Sequence, residues 1–169
     1  MAKIEIEKSL LKKAKEGNQV ALMELFSQFV ATDEKIVNVY YFGRYGLLWG
    51  DHSFACVTDK KVISLKTGSF NMILYQDAFL EDINSGVIYQ PSLFMLYLVG
   101  FILCLTIIGF FLLSIWVKVF YTFNKSGLLW NVKNGISVYI FSNRHKINQV
   151  TEMWRIVSAL REKKVKTNC

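Results

Sequence analysis

The sequence predicts an α+β fold: a seven-stranded antiparallel barrel or sandwich with a capping C-terminal helix, preceded by an N-terminal helical hairpin and interrupted by an apolar membrane segment. Three observations predict it. From Lys35 onward, short β-rich runs are separated by turn sequences; after Asn143 the apolar residues return to a helical period; and Leu93 to Val117 is almost unbrokenly apolar. The chain has 169 residues, the size of one domain with attachments. The expected divisions are residues 1–32 for the hairpin, 33–90 for strands one to five, 91–123 for the inserted segment, and 124–169 for the last two strands, the closing helix and a basic tail.

In the first thirty residues Ser9 can cap a helix that runs through Glu16 and ends at Gly17, after which Val20, Leu22, Met23, Phe26 and Val30 recur at near-helical spacing. Ala14 to Phe26 faintly resembles the helix pairs of bacterial sigma-factor and tetratricopeptide modules, but a single copy cannot build a superhelix, so a packing or partner-binding appendage is expected. Ile36–Phe42, Phe54–Val57, Val62–Leu65, Phe70–Tyr75 and Ile83–Tyr89 are the first five strand candidates, the last interrupted by Gly86. Leu128–Lys133 and Ile136–Phe141 flank Asn134-Gly135, a pair that accepts the positive φ of a type I′ hairpin turn. In the closing helix Ile147, Val150, Trp154, Val157 and Leu160 form one stripe, with Asn148 as a cap and Arg161, Lys163 and Lys164 at its C-terminal end.

Hydrophobic residues make up 53% of the chain and mean hydropathy is +0.29, too apolar for a disordered chain and high for an ordinary globule. The excess is local, since no Asp, Glu, Lys or Arg lies between Asp82 and Lys118. As one helix, Leu93–Val117 would be about 38 Å long against a hydrocarbon core of about 30 Å, which predicts a membrane protein. Residues 1–92 carry ten Lys/Arg and eleven Asp/Glu; residues 118–169 carry ten Lys/Arg and two acids, a balance of +8 within a total of +7. Such a basic segment after an apolar run marks a cytoplasmic, anionic leaflet, and a membrane with the soluble part facing the cytoplasm is the expected location. The charge is assigned to lipid rather than nucleic acid. Met1 to Lys8 contains no apolar stretch of signal-peptide type.

Seven antiparallel strands closed by a helix with a tryptophan on its apolar face resemble the pleckstrin-homology (PH) fold. The wording of Phe54-Ala-Cys-Val-Thr-Asp-Lys-Lys-Val-Ile-Ser-Leu65 is similar to the recurrent hairpin of bacterial PH-like families, and Ser126 to Phe141 to their last hairpin. The resemblance covers about residues 33–90 and 124–164 and departs from the usual pattern in the insertion between strands five and six. A single crossing would put strands one to five and strands six and seven on opposite sides of the bilayer, leaving open edges. The expected arrangement is therefore a same-side return of residues 88–123, as two short helices or a re-entrant wedge, with Gly100, Thr106 and Gly109 as bend positions. One straight helix is the alternative, because no Pro, Asn or Asp marks a turn within Leu93–Val117. Leu93, Gly100, Cys104, Gly109 and Trp116 are the residues expected in the apolar phase, and Val150, Trp154 and Val157 those expected to cap the barrel.

Enzyme chemistry finds no support in the residues. Asp51-His52-Ser53 are consecutive and cannot form a triad, His145 sits between Arg144 and Lys146 in a basic loop, and Gly43, Gly46 and Gly50 follow no phosphate-loop pattern. Cys56, Cys104 and Cys169 fit neither a disulfide framework nor a zinc site. No catalytic residue, metal or cofactor is expected. The PH resemblance implies headgroup binding near the first strand loop, for which Arg44, Lys60 and Lys61 are the candidates, and Lys118 and Lys125 bracket the exit of the apolar run. The expected function is a non-enzymatic scaffold or binding module that associates with anionic lipid and with copies of itself, the ring-forming habit being what the family resemblance implies. The alternative is an accessory subunit whose apolar run packs against partner membrane proteins.

Overall fold

The computed structural model describes residues 6–45, 50–68, 72–133 and 135–167. Its elements are α1 (Lys8–Lys15), α2 (Gln19–Ser27), β1 (Ile36–Tyr45), β2 (Asp51–Thr58), β3 (Lys61–Thr67), β4 (Ile73–Phe79), β5 (Ile83–Tyr89), α3 (Phe94–Cys104), α4 (Ile107–Phe123), β6 (Ser126–Val132), β7 (Val138–Ser142), a 3₁₀ turn at Arg144–Lys146 and α5 (Ile147–Thr167). The strands form two antiparallel sheets, β1-β2-β3-β4 and β5-β6-β7. Asn134, half of the expected type I′ turn, lies outside the described residues, as do Gly46 and the Phe70–Asn71 start of the fourth strand candidate.

The central strands of sheet one, β2 and β3, are buried on both faces. Because successive side chains on a strand point to opposite sides, Ala55 and Val57 enter one core while Phe54 and Cys56 enter another. The first core lies between the sheets and under α5, and includes Tyr40, Phe42, Val62, Leu128, Trp130, Ile140, Val150, Met153 and Val157. In the second, Leu10, Ala14, Leu22, Leu25 and Phe26 of the N-terminal hairpin cover Val39, Phe54, Cys56, Ile63 and Leu65. Double burial explains why β2 reads as an unbroken apolar run.

Local capping differs from the expected pattern in three places. Glu7 stands at the N-cap of α1, and the Ser9 hydroxyl donates to the Glu7 carboxylate. Asn18 is the cap that works, its side chain accepting from the backbone N–H of Val20 and Ala21. At α5, Asn143 rather than Asn148 turns the chain, accepting from the His145 N–H before the 3₁₀ turn.

α5 closes the open end of the two sheets. Val150, Met153 and Val157 are wholly buried, and Trp154 stacks on Trp130 with ring centroids 4.8 Å apart and planes within 10°. A Cβ on Gly86 would fall on the Trp154 ring, so the glycine that weakens β5 as a strand is the gap the indole occupies.

The expected class of membrane protein is corrected by the insertion. No helix among the described residues is long and apolar enough to cross a membrane. The apolar run breaks into α3 and α4, of 11 and 17 residues, about 16 and 26 Å long. The break has a local cause: the Thr106 side chain caps α4 by accepting from the Gly109 N–H at 2.9 Å, while the Leu105 N–H closes the end of α3 on Ile102. Hydropathy alone registers none of this, since threonine interrupts neither charge nor apolar content. The two helices pack as a hairpin, with Gly100 against Leu113 and the Trp116 indole N–H donating to the Leu96 carbonyl at 3.3 Å.

Candidate anion-binding cleft

Two ends of the sheets carry the charged residues. At one end the β2–β3 turn holds Lys60 and Lys61, and acids meet both: Lys60 pairs with Asp33, and Lys61 lies 3.7 Å from both Glu34 and Asp77. β3 then runs seven residues, about 20 Å, to the other end, where Thr67 is level with His52 and His52 with Arg44. Arg44 is thus remote from Lys60 and Lys61, and the three do not form one site.

Arg44 instead joins Lys118 and Lys125. A cleft of about 380 Å³ is lined by the end of β1 (Arg44, Tyr45), the last turns of α4 (Val117, Lys118, Tyr121), the link to β6 (Asn124, Lys125, Ser126) and the β7–α5 corner (Ser142, Asn143, Arg144, His145). Among the described residues no carboxylate lines it. Gly43, with a φ of 93°, forms a bulge in β1 opposite Ser53 and re-aims the strand end that carries Arg44. The Asn143 side chain then holds that end by donating to the Arg44 carbonyl at 3.4 Å, and the Asn143 N–H donates to Phe42 at 2.9 Å.

The cations rest on aromatic faces. The Arg144 guanidinium lies 4.7 Å from the centre of the Tyr121 ring, joining the α5 corner to the insertion. Lys125 lies 5.2 Å from the Tyr45 ring and 5.0 Å from Phe141. Phe141 also receives Lys66, at 4.2 Å from its centre on the inner face of β3. Lys66 is buried and its ammonium is pushed down to about 8 by burial, then by neighbouring Lys125, with Asp51 acting in the opposite direction.

Of the sequence candidates the structure brings Arg44, Lys118 and Lys125 to this cleft; Arg144, not among them, also lines it, and Lys66 lies close by on Phe141. Arg144 reads as part of a solvated basic loop. Lys66 follows Leu65 on an apolar strand, and an inward lysine at a strand end was the available signal. Cys104 is exposed at the end of α3, Gly109 is buried at the turn, and Leu93 is the half-buried residue that starts α3. Among the described residues no group of three His, Cys, Asp or Glu could hold a metal ion. The Asp51-His52-Ser53 residues lie in sequence along β2, and His52 Nδ1 meets the Tyr41 hydroxyl at 2.7 Å.

Comparison with solved structures finds a pleckstrin homology domain from Shewanella amazonensis SB2B, at a TM-score of 0.50 and 10% identity, over 85% of this chain and 98% of that one. The chain therefore has a PH-like fold. No family model matches the sequence, and no curated protein matches it.

Proposed function

We propose that this chain is a non-enzymatic binding module that docks on the surface of an anionic bilayer, its α3–α4 hairpin resting in one leaflet. The observation that carries the reading is the distribution of exposed apolar residues. Ile108 is 76% and Phe111 75% exposed, and Phe94, Met95, Tyr97, Phe101, Ile102, Leu105, Leu112 and Ile115 continue the surface around both helices. A contiguous apolar surface of this kind marks an interaction site, and water is a poor solvent for it.

Length argues for one leaflet as the occupant. α3 spans about 16 Å, and so do the residues of α4 between Ile107 and the first charge, Lys118. Half of a 30 Å hydrocarbon core is about 15 Å. With the Leu105–Thr106 turn deepest, Lys118, Lys125 and Arg144 come level with the headgroups, where each well-placed cation contributes about 1 kcal/mol toward anionic lipid. A partner helix would need a stripe; these helices are apolar on every side.

Flotation with phosphatidylglycerol-containing vesicles tests the reading. The full chain should rise with the vesicles, and a Leu105→Glu/Ile108→Glu variant should stay in the dense fraction while melting within about 0.5 kcal/mol of the parent, because both positions are exposed. A variant that floats as well as the parent would refute leaflet docking. A large lipid-free assembly of the parent, with no flotation, would instead assign the apolar surface to contacts between copies.

A further inference from the structure

We propose that a second, polar cavity, between the N-terminal hairpin, the edge of β1 and α5, is a binding site for a free α-amino acid with a small side chain, held by its ammonium and its carboxylate at once. The inference is independent of leaflet docking, since the cavity shares no lining residue with the cleft at the foot of the insertion.

Three parts of the chain build the cavity. Gly17 turns the corner between α1 and α2 at a φ of 83°, and the place of its missing Cβ is open space. β1, the outermost strand of sheet one, supplies a wall from Asn38 to Tyr41. Opposite it, Lys146, Gln149 and Glu152 recur at every third position from the 3₁₀ turn into α5, a spacing that makes them neighbours in one row. The row is pinned to the strand at both ends. The Lys146 ammonium donates to the Tyr41 carbonyl at 2.8 Å, and a Glu152 carboxylate oxygen accepts from the Tyr40 hydroxyl at 3.2 Å and the Asn38 amide at 3.4 Å. A cation thus stands at one end, a carboxylate at the other, and the Gln149 amide between them.

Each member of the row is left with a need that one ligand can meet. The Gln149 Oε1 is buried and, among the described residues, receives no hydrogen bond, a cost that persists until a donor reaches it. Lys146 and Glu152 are oppositely charged, yet the groups that meet them are neutral: a carbonyl and the Tyr41 ring at 4.7 Å for Lys146, a hydroxyl and an amide for Glu152. Burial pushes the Lys146 ammonium below its ordinary value, a shift that an adjacent carboxylate would oppose. A ligand ammonium donating to Gln149 Oε1 and Glu152, with the ligand carboxylate at Lys146, satisfies all three groups through charge-assisted hydrogen bonds. A simple cation leaves Lys146 unmet, and a simple anion leaves Gln149 and Glu152 unmet. The volume, about 130 Å³, falls below the roughly 300 Å³ at which sites for drug-sized ligands begin, which limits the ligand to a few heavy atoms. Glycine, alanine and serine meet that limit.

The test titrates the full chain with glycine calorimetrically at pH 7 and constant ionic strength, with acetate and methylammonium as the two half-ligands. Glycine should bind saturably and raise the thermal midpoint, and each half-ligand should bind about tenfold more weakly or worse. Glu152→Gln and Lys146→Gln, whose amides can still hydrogen-bond to Tyr40 and Tyr41, should each weaken glycine about tenfold; circular dichroism of each variant shows that it is folded. Gln149→Leu separates a ligand group from a structural one. Without ligand it should melt at or above the parent, because it removes a buried oxygen that lacks a donor, and its midpoint should no longer respond to glycine. Absence of saturable glycine binding by the parent overturns the site and leaves the cavity to water. Equal binding by the three variants overturns its location. Acetate or methylammonium binding as tightly as glycine overturns the ligand class. A Gln149→Leu chain that melts below the parent and still responds to glycine assigns the amide to the fold and overturns its part in recognition.

Discussion

Trp154 and Gly86 behave as one unit. The indole lies between Trp130 and the place a Cβ would occupy on β5, so truncating it and filling its seat are opposite injuries to the same contact. Trp154→Ala should cost about 3 kcal/mol, within the usual range for large aromatic deletions, and Gly86→Ala about 1–3 kcal/mol from overpacking. Urea denaturation of the two single variants and the double would show non-additivity, because removing the indole relieves the closest clash of the alanine methyl and leaves only the contact with Trp130. His52 sets a pH dependence. Burial first, then Lys15 and Arg44, pull its pKa down to about 4, against about 6.5 when unfolded. The neutral ring is therefore favoured in the fold, and the stability it contributes is complete above about pH 6.5 and lost as pH falls through 4. His52 is only half buried, so solvent screening leaves about 1 kcal/mol, a loss of about 2–4 °C in melting temperature between pH 7 and pH 4. His52→Gln, melted at both pH values, should show a smaller loss than the parent.

Among the elements, the N-terminal hairpin is part of the fold's core rather than an appendage to it. Leu25 and Phe26 are fully buried against the outer face of sheet one, so Leu25→Ala should cost about 2–5 kcal/mol of global stability, read as one cooperative transition of strand and helix signals together. A hairpin that melted first, leaving the strand signal intact, would contradict the shared core. This packing was only half legible. Phe26 and Leu22 fell on the expected stripe, yet Val20 and Met23 from the same stripe are exposed, and Ala21 and Leu25 replace them. Two short helices offer too few turns to fix the phase, and the covered face is decided by a sheet distant in sequence. The strands were easier. β5 spans the expected Ile83–Tyr89, whereas β1 and β2 extend toward their shared connection beyond the expected Ile36–Phe42 and Phe54–Val57. There Arg44 pairs with His52 and Tyr45 with Asp51, polar residues held by register rather than by apolar alternation. The break at Thr106 was named among three bend positions, but composition could not distinguish its capping hydroxyl from a threonine inside a helix.

Across the whole molecule, two groups of basic residues stand at opposite ends of the sheets. Lys60 and Lys61 face acids at one end of the sheets, while Arg44, Lys118, Lys125 and Arg144 gather at the other beside the apolar hairpin. No single window of sequence contains the cleft, because its residues come from positions 44 to 145. Tyr89 lies opposite Gly127 in the register of β5 with β6, so the insertion leaves and re-enters the sheet at adjacent strands. That register has a kinetic consequence. β6 and β7 can pair across a short connection, but β5 must close a loop of more than thirty residues before it gains a partner, which delays it relative to the local hairpin. Ile83→Val in β5 should mainly speed unfolding, whereas Ile140→Val in β7 should slow folding, the two side chains being equally buried. Stopped-flow chevrons of both variants would reveal the order, and a high φ at Ile83 would mean that the apolar hairpin forms early enough to bring β5 and β6 together.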